Sequence, residues 1–152
     1  MVQTDYILRM IEQMGQMLAA LRKIILDKSA PAEEISDRLT SAASTGGFNL
    51  ALARAASAET IEMLVAPAGE LEPGRCWLVA EVLYLDGLQA QLEDRPEEAS
   101  ESLRKSLPLY TLLKPKGLFL GLPEAAERIA EIETRLDALD EQCAQLDGRP
   151  SG

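Results

Sequence analysis

The chain has 152 residues, a net charge of −10, two cysteines and no histidine. The missing histidine excludes Ser-His-Asp catalysis, Cys-His catalysis and His-ligated metal sites, and two cysteines are too few for a four-thiolate zinc site or a disulfide framework. The acidic balance argues against nucleic acid and anionic membrane surfaces as partners. With 47% hydrophobic residues, the chain is expected to fold as a single helical domain over 1–147, followed by a flexible tail over 148–152.

The first predicted element is a long helix over 4–27. Its apolar residues recur at spacings of three and four, as in a coiled-coil seam. The residues of this seam are Ile7, Ile11, Met14, Leu18, Leu21 and Ile25. Met10 and Met17 add a second apolar row, so the helix is expected to contact more than one neighbour. Charged residues interrupt the stretch, so it is not predicted to span a membrane. Because no signal-peptide pattern follows Met1, we expect a cytoplasmic protein.

Three shorter helices are predicted next, with starts near Ser29, Phe48 and Ser57. Residues 66–74 are rich in proline and glycine, which predicts a loop. The helix over 75–92 is apolar nearly all round, and this is typical of a central helix that is covered on every side.

The following helix, over 97–113, contains Pro108. A proline inside a helix has no amide hydrogen for the carbonyl four residues earlier, so we expect a kink, or a break and restart, near Leu107. The last predicted helix covers 123–146 and carries a seam only two positions wide per heptad, which is typical of a coiled-coil partner. The residues of this second seam are Ala125, Ile129, Ile132, Leu136, Leu139, Cys143 and Leu146.

No segment shows a convincing strand pattern, so the sequence predicts an all-α protein of about six helices arranged as antiparallel hairpins. The first and last helices both carry heptad seams, and they could pair with one another or with a second chain. We therefore predict a homodimer. The candidate self-association residues are Tyr6, Met10, Met14, Met17, Ile129 and Leu136.

The helical pair over 75–114 resembles a single tetratricopeptide repeat. Gly87 and Ala99 stand at the spacing of the two small residues at which the helices of that repeat cross. Leu83, before Gly87, and Leu103, after Ala99, match large apolar positions of the repeat. Three positions depart from its pattern: Asp86, Ala90 and Ser106. The resemblance implies a helical hairpin that other helices stack against or cap.

The opening residues carry a second resemblance. The string DYILRMIEQ, from Asp5 to Gln13, resembles the start of a bacterial family of uncharacterised helical proteins, defined only as a domain of unknown function. The resemblance extends over most of the chain, including the repeat-like pair and the helix over 124–136. It implies a tetratricopeptide-like fold, and it implies no activity, ligand or catalytic residue.

Carboxylates are the most numerous candidate chemical groups, and they cluster at 33–34, 93–94, 97–101 and 127–131. General acid–base catalysis needs a carboxylate pair held in an apolar cleft, and nothing in this spacing indicates such a cleft. Solvated helix faces explain the clusters better. We therefore assign no catalytic residue, no cofactor and no metal ligand.

The interpretation that remains is a non-enzymatic helical module that binds a protein or peptide partner. The expected groove lies on the inner face of the helix over 75–92, with Trp77, Tyr84 and Tyr110 as candidate groove residues. The acidic surface favours a basic partner segment.

Two alternatives stay open. The first is an enzyme or small-molecule binder that uses buried carboxylates, and a cavity lined by two or more acidic side chains with Tyr84 or Tyr110 would favour it. The second is a structural subunit whose exposed seams complete a larger assembly.

Overall fold

The computed structural model describes residues 2–116 and 125–146. These residues form seven α-helices and one short 3-10 helix at Lys114–Lys116, and they contain no strand. The α-helices are α1 (Val2–Asp27), α2 (Ala32–Thr45), α3 (Leu50–Ala55), α4 (Ala58–Val65), α5 (Pro73–Leu92), α6 (Pro96–Leu113) and α7 (Ala125–Leu146). The prediction of an all-α protein is therefore confirmed. The predicted tail over 148–152 and the predicted start of the last helix at Pro123 lie outside the described residues.

Helix α5 forms the centre of the core. Every residue from Cys76 to Ala90 is buried, because α1, α2, α4 and α6 all pack against this helix. A helix that is apolar nearly all round can be stable in water only when its whole circumference is covered in this way. The few polar side chains that α5 carries, among them Glu81 and Asp86, are therefore forced into the interior.

Helices α5 and α6 form an antiparallel hairpin, and their close approach centres on Gly87. A Cβ atom at this position would lie 2.8 Å from Leu103 Cγ and 3.2 Å from the Ala99 carbonyl oxygen. Leu83, Ala99 and Leu103 are all fully buried. The structure thus places Gly87 directly against Ala99 and Leu103 at the helix crossing.

Helix α6 continues through Pro108 from its first residue to its last, so the expected break and restart near Leu107 is wrong. The proline removes one intrahelical hydrogen bond. The residues that follow it, Leu109 and Tyr110, are fully buried against the core, and this packing stabilises the helix beyond the proline.

The short helices between α2 and α5 begin at side-chain caps. Asn49 Oδ1 accepts a hydrogen bond from the Leu52 amide, and Ser57 Oγ accepts one from the Thr60 amide. Both caps satisfy amides that have no acceptor within their own helix. The loop over 66–72 then leads to α5, which begins at Pro73, two residues before the predicted start.

The described residues of the two predicted seams pack mostly against the protein's own core. Met14 is 5% exposed, while Ile129 and Leu136 are partly buried against the core. Met17 remains 43% exposed. The side chains of Tyr6 and Met10 lie outside the described part of the structure. The candidate self-association residues that the structure describes therefore do not form one exposed face, because α5 and its neighbours already cover most of them.

Candidate functional site

A buried ion pair joins the middle of α5 to α7. Arg128 Nε donates to Glu81 Oε1 at 2.7 Å, and Arg128 Nη2 donates to Glu81 Oε2 at 3.3 Å. The side chains are only 10% and 3% exposed. Tyr110 of α6 donates its hydroxyl to Glu81 Oε1 at 2.5 Å, so the carboxylate receives donors from two helices. Because both charges are paired and hydrogen-bonded, the cost of burying them is offset within the protein.

From Arg128, the contacts continue through Tyr84 to two partly exposed residues, Arg22 and Glu131. The Arg128 guanidinium lies over the Tyr84 ring, 4.4 Å from its centre, where a cation is attracted to the face of the ring. The Tyr84 hydroxyl donates to Glu131 and accepts from Arg22 Nε of α1 at 2.8 Å. Arg22 Nη2 also lies 3.1 Å from Glu131 Oε1. This set of contacts, here called the core network, connects α1, α5, α6 and α7.

The protonation states in the core network follow from burial and from its internal bonds. Burial, together with the negative charge of Glu81, raises the pKa of Tyr110 well above its ordinary value. Burial and the hydrogen bond to Glu131 raise the pKa of Tyr84 to about 12. Burial alone would raise the pKa of Glu131, but hydrogen bonds from Tyr84 and Arg135 and the charge of Arg22 outweigh it, so this pKa is lowered. At neutral pH the tyrosines are therefore neutral donors and Glu131 is ionised.

A second polar cluster holds α3 against the hairpin. Asp86 of α5 lies 2.5 Å from Arg54 Nη2 and accepts a hydrogen bond from Ser102 Oγ of α6 at 2.8 Å. Lys105 of α6 donates its ammonium to the carbonyl oxygens of Ala53 and Arg54. A cation at these carbonyls satisfies groups that the end of α3 leaves without an amide donor. The cluster is structural, since each of its charged groups already has a partner.

One shallow cleft of the described structure lies beside the core network. The shallow cleft beside the core network is lined by Glu131, Arg135 and Gln91, with Ala130, Thr134 and Ala138. Only one acidic residue and neither buried tyrosine lines it, so it does not match the cavity that would favour an enzyme using buried carboxylates. Within residues 2–116 and 125–146, no three Cys, Asp or Glu side chains are grouped closely enough to hold a metal ion.

A separate cleft of about 430 Å³ lies at the N-terminal end of α5, facing α1, and is open to solvent on one side. We call it the Trp77 cleft. Its lining is mostly apolar and comprises Ile11, Met14, Gly46, Leu71, Glu72, Pro73, Gly74, Arg75, Trp77 and Leu78. Its walls are tightly packed, because a Cβ atom at Gly46 would collide with Leu78 and one at Gly74 would collide with Ile11. The side chains of Leu78 and Ile11 thus lie directly against the backbone of these two glycines.

Two of the residues that line the Trp77 cleft, Trp77 and Arg75, carry hydrogen-bond donors. The indole Nε1 of Trp77 is buried and has no hydrogen-bond partner in the described part of the chain. Arg75 donates from Nε to the Leu64 carbonyl at 2.9 Å and from Nη2 to the Gly47 carbonyl at 3.3 Å. These two bonds orient the guanidinium, and among the described residues no carboxylate pairs with it. A buried unpaired donor is rare in proteins, because leaving it without an acceptor costs about 1–3 kcal/mol.

Of the three predicted groove residues, only Trp77 lines an open cleft. Tyr84 and Tyr110 are fully buried members of the core network, and they are not accessible to a partner in this structure. The predicted groove is therefore closed at these two positions, because Tyr110 of α6 packs onto Glu81 of α5, and residues of α1 and α7 contact Tyr84.

The core network was missed at the level of the sequence, although one signal was present. Glu81 is the only acidic residue in the first half of the most apolar helix, and a carboxylate there must be buried with a partner. Its partner Arg128 flanks the apolar seam of α7 in the sequence, where a charged residue is usually solvated. The two residues are 47 positions apart, so no local spacing connects them.

Comparison with known proteins finds no matching family model, no similar curated protein and no similar solved structure. The two resemblances drawn from the sequence stay predictions. Among the described helices, none is both long and apolar enough to cross a membrane.

Proposed function

We propose that the protein is a non-enzymatic helical binding module and that the Trp77 cleft is its ligand site. The observation that carries the proposal is the cleft itself, a concave and mostly apolar space of about 430 Å³ that also presents a few polar groups. Sites for small molecules are typically clefts of about 300–1,000 Å³ with this kind of lining.

The arrangement of the acidic residues supports a binding role over catalysis. Glu81 and Asp86, the most buried acids among the described residues, are each fully engaged by an arginine and a hydroxyl. A general base must reach a substrate proton, and neither carboxylate has a free path to one. Their role is to fasten α7 and α3 to the central hairpin.

A protein partner is the second candidate occupant of the surface. Leu52 on α3 and Met63 on α4 are 71% and 68% exposed, and exposed large apolar side chains are typical of interaction surfaces. The acidic balance of the chain favours a basic segment in such a partner. Self-association through Met17 of α1 belongs to the same class of proposal. We regard this role as secondary, because these residues form no concave site.

The proposal includes a tetratricopeptide-like character for the α5–α6 hairpin. The support is the close approach of Gly87 to Leu103 and Ala99, which is the contact such a hairpin requires. In this interpretation α1, α2 and α7 act as the stacking and capping helices. A cytoplasmic location is part of the same proposal.

The test is a two-dimensional amide NMR titration with 1-octanol as a neutral apolar probe. We expect the largest shifts at residues that line the Trp77 cleft. Leu71→Phe narrows the cleft, and it should weaken these shifts at a given probe concentration. Leu112→Phe makes the same chemical change at an exposed position of α6 and should leave them intact. Shifts spread over the whole surface, or equal responses in both variants, would contradict a ligand site in the cleft.

A further inference from the structure

Helix α7 meets the central helix α5 through a row of polar contacts. Its backbone approaches mainly that of α6, and its contacts with α5 are side-chain hydrogen bonds in which three residues of α5 each bind one residue of α7. The three pairs, here called the α7 ladder, are Glu81 with Arg128, Tyr84 with Glu131, and Gln91 with Arg135. The residue numbers rise together along both helices, so α5 and α7 run in the same direction and the pairs fix their register.

The α7 ladder specifies which helix fits on the face formed by α5 and α6. Buried ion pairs add little net stability, because the cost of removing the charges from water offsets their attraction. They do reject a helix that lacks the matching groups, since a buried partner is then left unpaired. The face beneath α7 is therefore selective for a helix that presents arginine, glutamate and arginine at successive spacings of three and four.

Helix α7 is packed on one side only. Among its side chains that the structure describes, only Arg128, Ile132 and Leu139 are buried, whereas every residue of α5 from Cys76 to Ala90 is buried. The outer face of α7 is acidic and exposed, with Glu133, Asp137 and Glu141. Helices with few buried apolar contacts open at a lower free energy than the core. Helix α7 can therefore leave the α5–α6 face while the other described helices keep their packing.

We propose that α7 is an exchangeable helix, and that the α5–α6 face beneath it docks the α7 of a second copy of this chain. A second copy is the occupant that the structure supports, because its α7 carries all three matching groups in the required register. The exchanged dimer makes the same contacts as the single chain, which is why swapping an identical element is a low-cost route to dimers. The inference concerns a different surface from the Trp77 cleft and does not depend on ligand binding there.

The test is complementation between two variants that each lose one half of the buried ion pair. Arg128→Gln keeps the docking face intact, and Glu81→Gln keeps α7 intact. Each variant alone leaves one buried charge without its partner. In the exchanged heterodimer, Glu81 and Arg128 meet at one site and two neutral side chains meet at the other, so neither charge is stranded. We expect the mixed variants to associate at least about tenfold more tightly than either variant alone, measured by analytical ultracentrifugation with one chain labelled.

A matched pair of variants controls for the loss of charge. Glu34→Gln and Arg38→Gln remove the two ends of an exposed ion pair within α2, and their mixture should form no heterodimer. Variants that do not fold alone are unfolded together in urea and refolded as a mixture. Absence of a heterodimer from the mixture of Glu81→Gln and Arg128→Gln, or an equal amount in the control mixture, would overturn the inference.

Hydrogen exchange of the unaltered protein gives a second measurement that needs no variant. We expect the amides over 128–139 to exchange at one common rate, at least about tenfold faster than the amides of α5, because α7 opens as a unit. A helix that is only frayed shows a gradient of rates from its end instead. Such a gradient, or rates as slow as those of α5, would contradict an exchangeable α7.

Discussion

Arg128 of α7 contacts both carboxylate oxygens of Glu81, in the middle of the buried helix α5, and neither side chain is more than 10% exposed. The contact ties the last described helix to the centre of the core. Burying two charges is expensive, and their mutual attraction recovers the cost only when the remaining hydrogen bonds are also made. Tyr110 supplies one of those bonds, so the three residues form a single structural unit.

Removing one member of this unit should destabilise the protein strongly. Arg128→Met leaves the Glu81 charge buried without its partner, and we expect the free energy of unfolding to fall by about 3–5 kcal/mol. Urea denaturation at neutral pH measures this change.

The double variant Glu81→Gln/Arg128→Met removes the stranded charge and keeps an acceptor for Tyr110, so it should be more stable than Arg128→Met alone. Arg38→Gln, at an exposed pair with Glu34, is the control and should change stability by less than about 0.5 kcal/mol. A double variant as unstable as the single one would show that the buried charge is not the cause.

The crossing of α5 and α6 depends on the absence of a side chain at Gly87. In Gly87→Ala, the added methyl group would lie 2.8 Å from Leu103 Cγ and close to the Ala99 carbonyl. Alanine improves helix propensity by up to about 1 kcal/mol, but overpacking costs about 1–3 kcal/mol, so we expect a net loss of stability in thermal unfolding. Gly87→Ala should be tolerated better when Leu103 is shortened to valine, and a destabilisation that is independent of residue 103 would argue against this contact.

The lowered pKa of Glu131 links the core network to acid stability. A carboxyl group whose pKa is lower in the folded state stabilises the protein above its unfolded pKa, and this contribution is lost as the pH falls through the folded value. Since the ordinary value is 4.5, the unaltered protein should lose this part of its stability below about pH 5. In Glu131→Gln the side chain at this position cannot ionise. The free energy of unfolding of this variant should therefore fall less steeply below about pH 5.

The size of this effect is limited, because Glu131 is only half buried and solvent screens its charges. We expect it to be below about 1 kcal/mol. Denaturant midpoints measured from pH 3 to pH 7 give the comparison. If stability changes with pH in the same way in the unaltered protein and in Glu131→Gln, then Tyr84 and the neighbouring arginines do not favour the ionised carboxylate of Glu131.

The two cysteines should differ in reactivity. Burial raises the pKa of Cys76 to about 12, and its thiol donates to the Leu109 carbonyl at 3.3 Å, whereas Cys143 is partly exposed. Because the thiolate is the reactive form, a disulfide reagent such as dithionitrobenzoate should modify one thiol of the native protein quickly and the second only on unfolding. Cys143→Ala should abolish the fast phase. A fast phase that persists in this variant would place Cys76 in contact with solvent.

The helices were largely predictable from the sequence, because apolar periodicity and caps are local signals. The heptad spacing from Ile11 to Ile25 predicts α1, and Ser57 predicts the start of α4. Pro108 shows the limit of local reasoning, since the buried neighbours Leu109 and Tyr110 override the tendency of proline to break the helix.

The candidate site could not be predicted in the same way. The Trp77 cleft forms where α1, the end of α2 and the start of α5 meet, and its walls depend on the close approaches at Gly46 and Gly74. These approaches come from the packing of segments that are distant in sequence. A single glycine near a helix end therefore gives no local signal that predicts them. The sequence placed Trp77 in a groove, but it placed that groove along the inner face of α5, which the structure shows to be covered.

The most direct measurement of the central claim is the position of the indole N–H resonance of Trp77 during a titration with 1-octanol. The chain has one tryptophan and therefore one such resonance. Our account predicts a saturable shift of this signal, because Trp77 lines the cleft and its surroundings change when the cleft is filled. A signal that keeps its position while 1-octanol binds elsewhere, or one that never responds up to millimolar ligand, would contradict a ligand site in the Trp77 cleft.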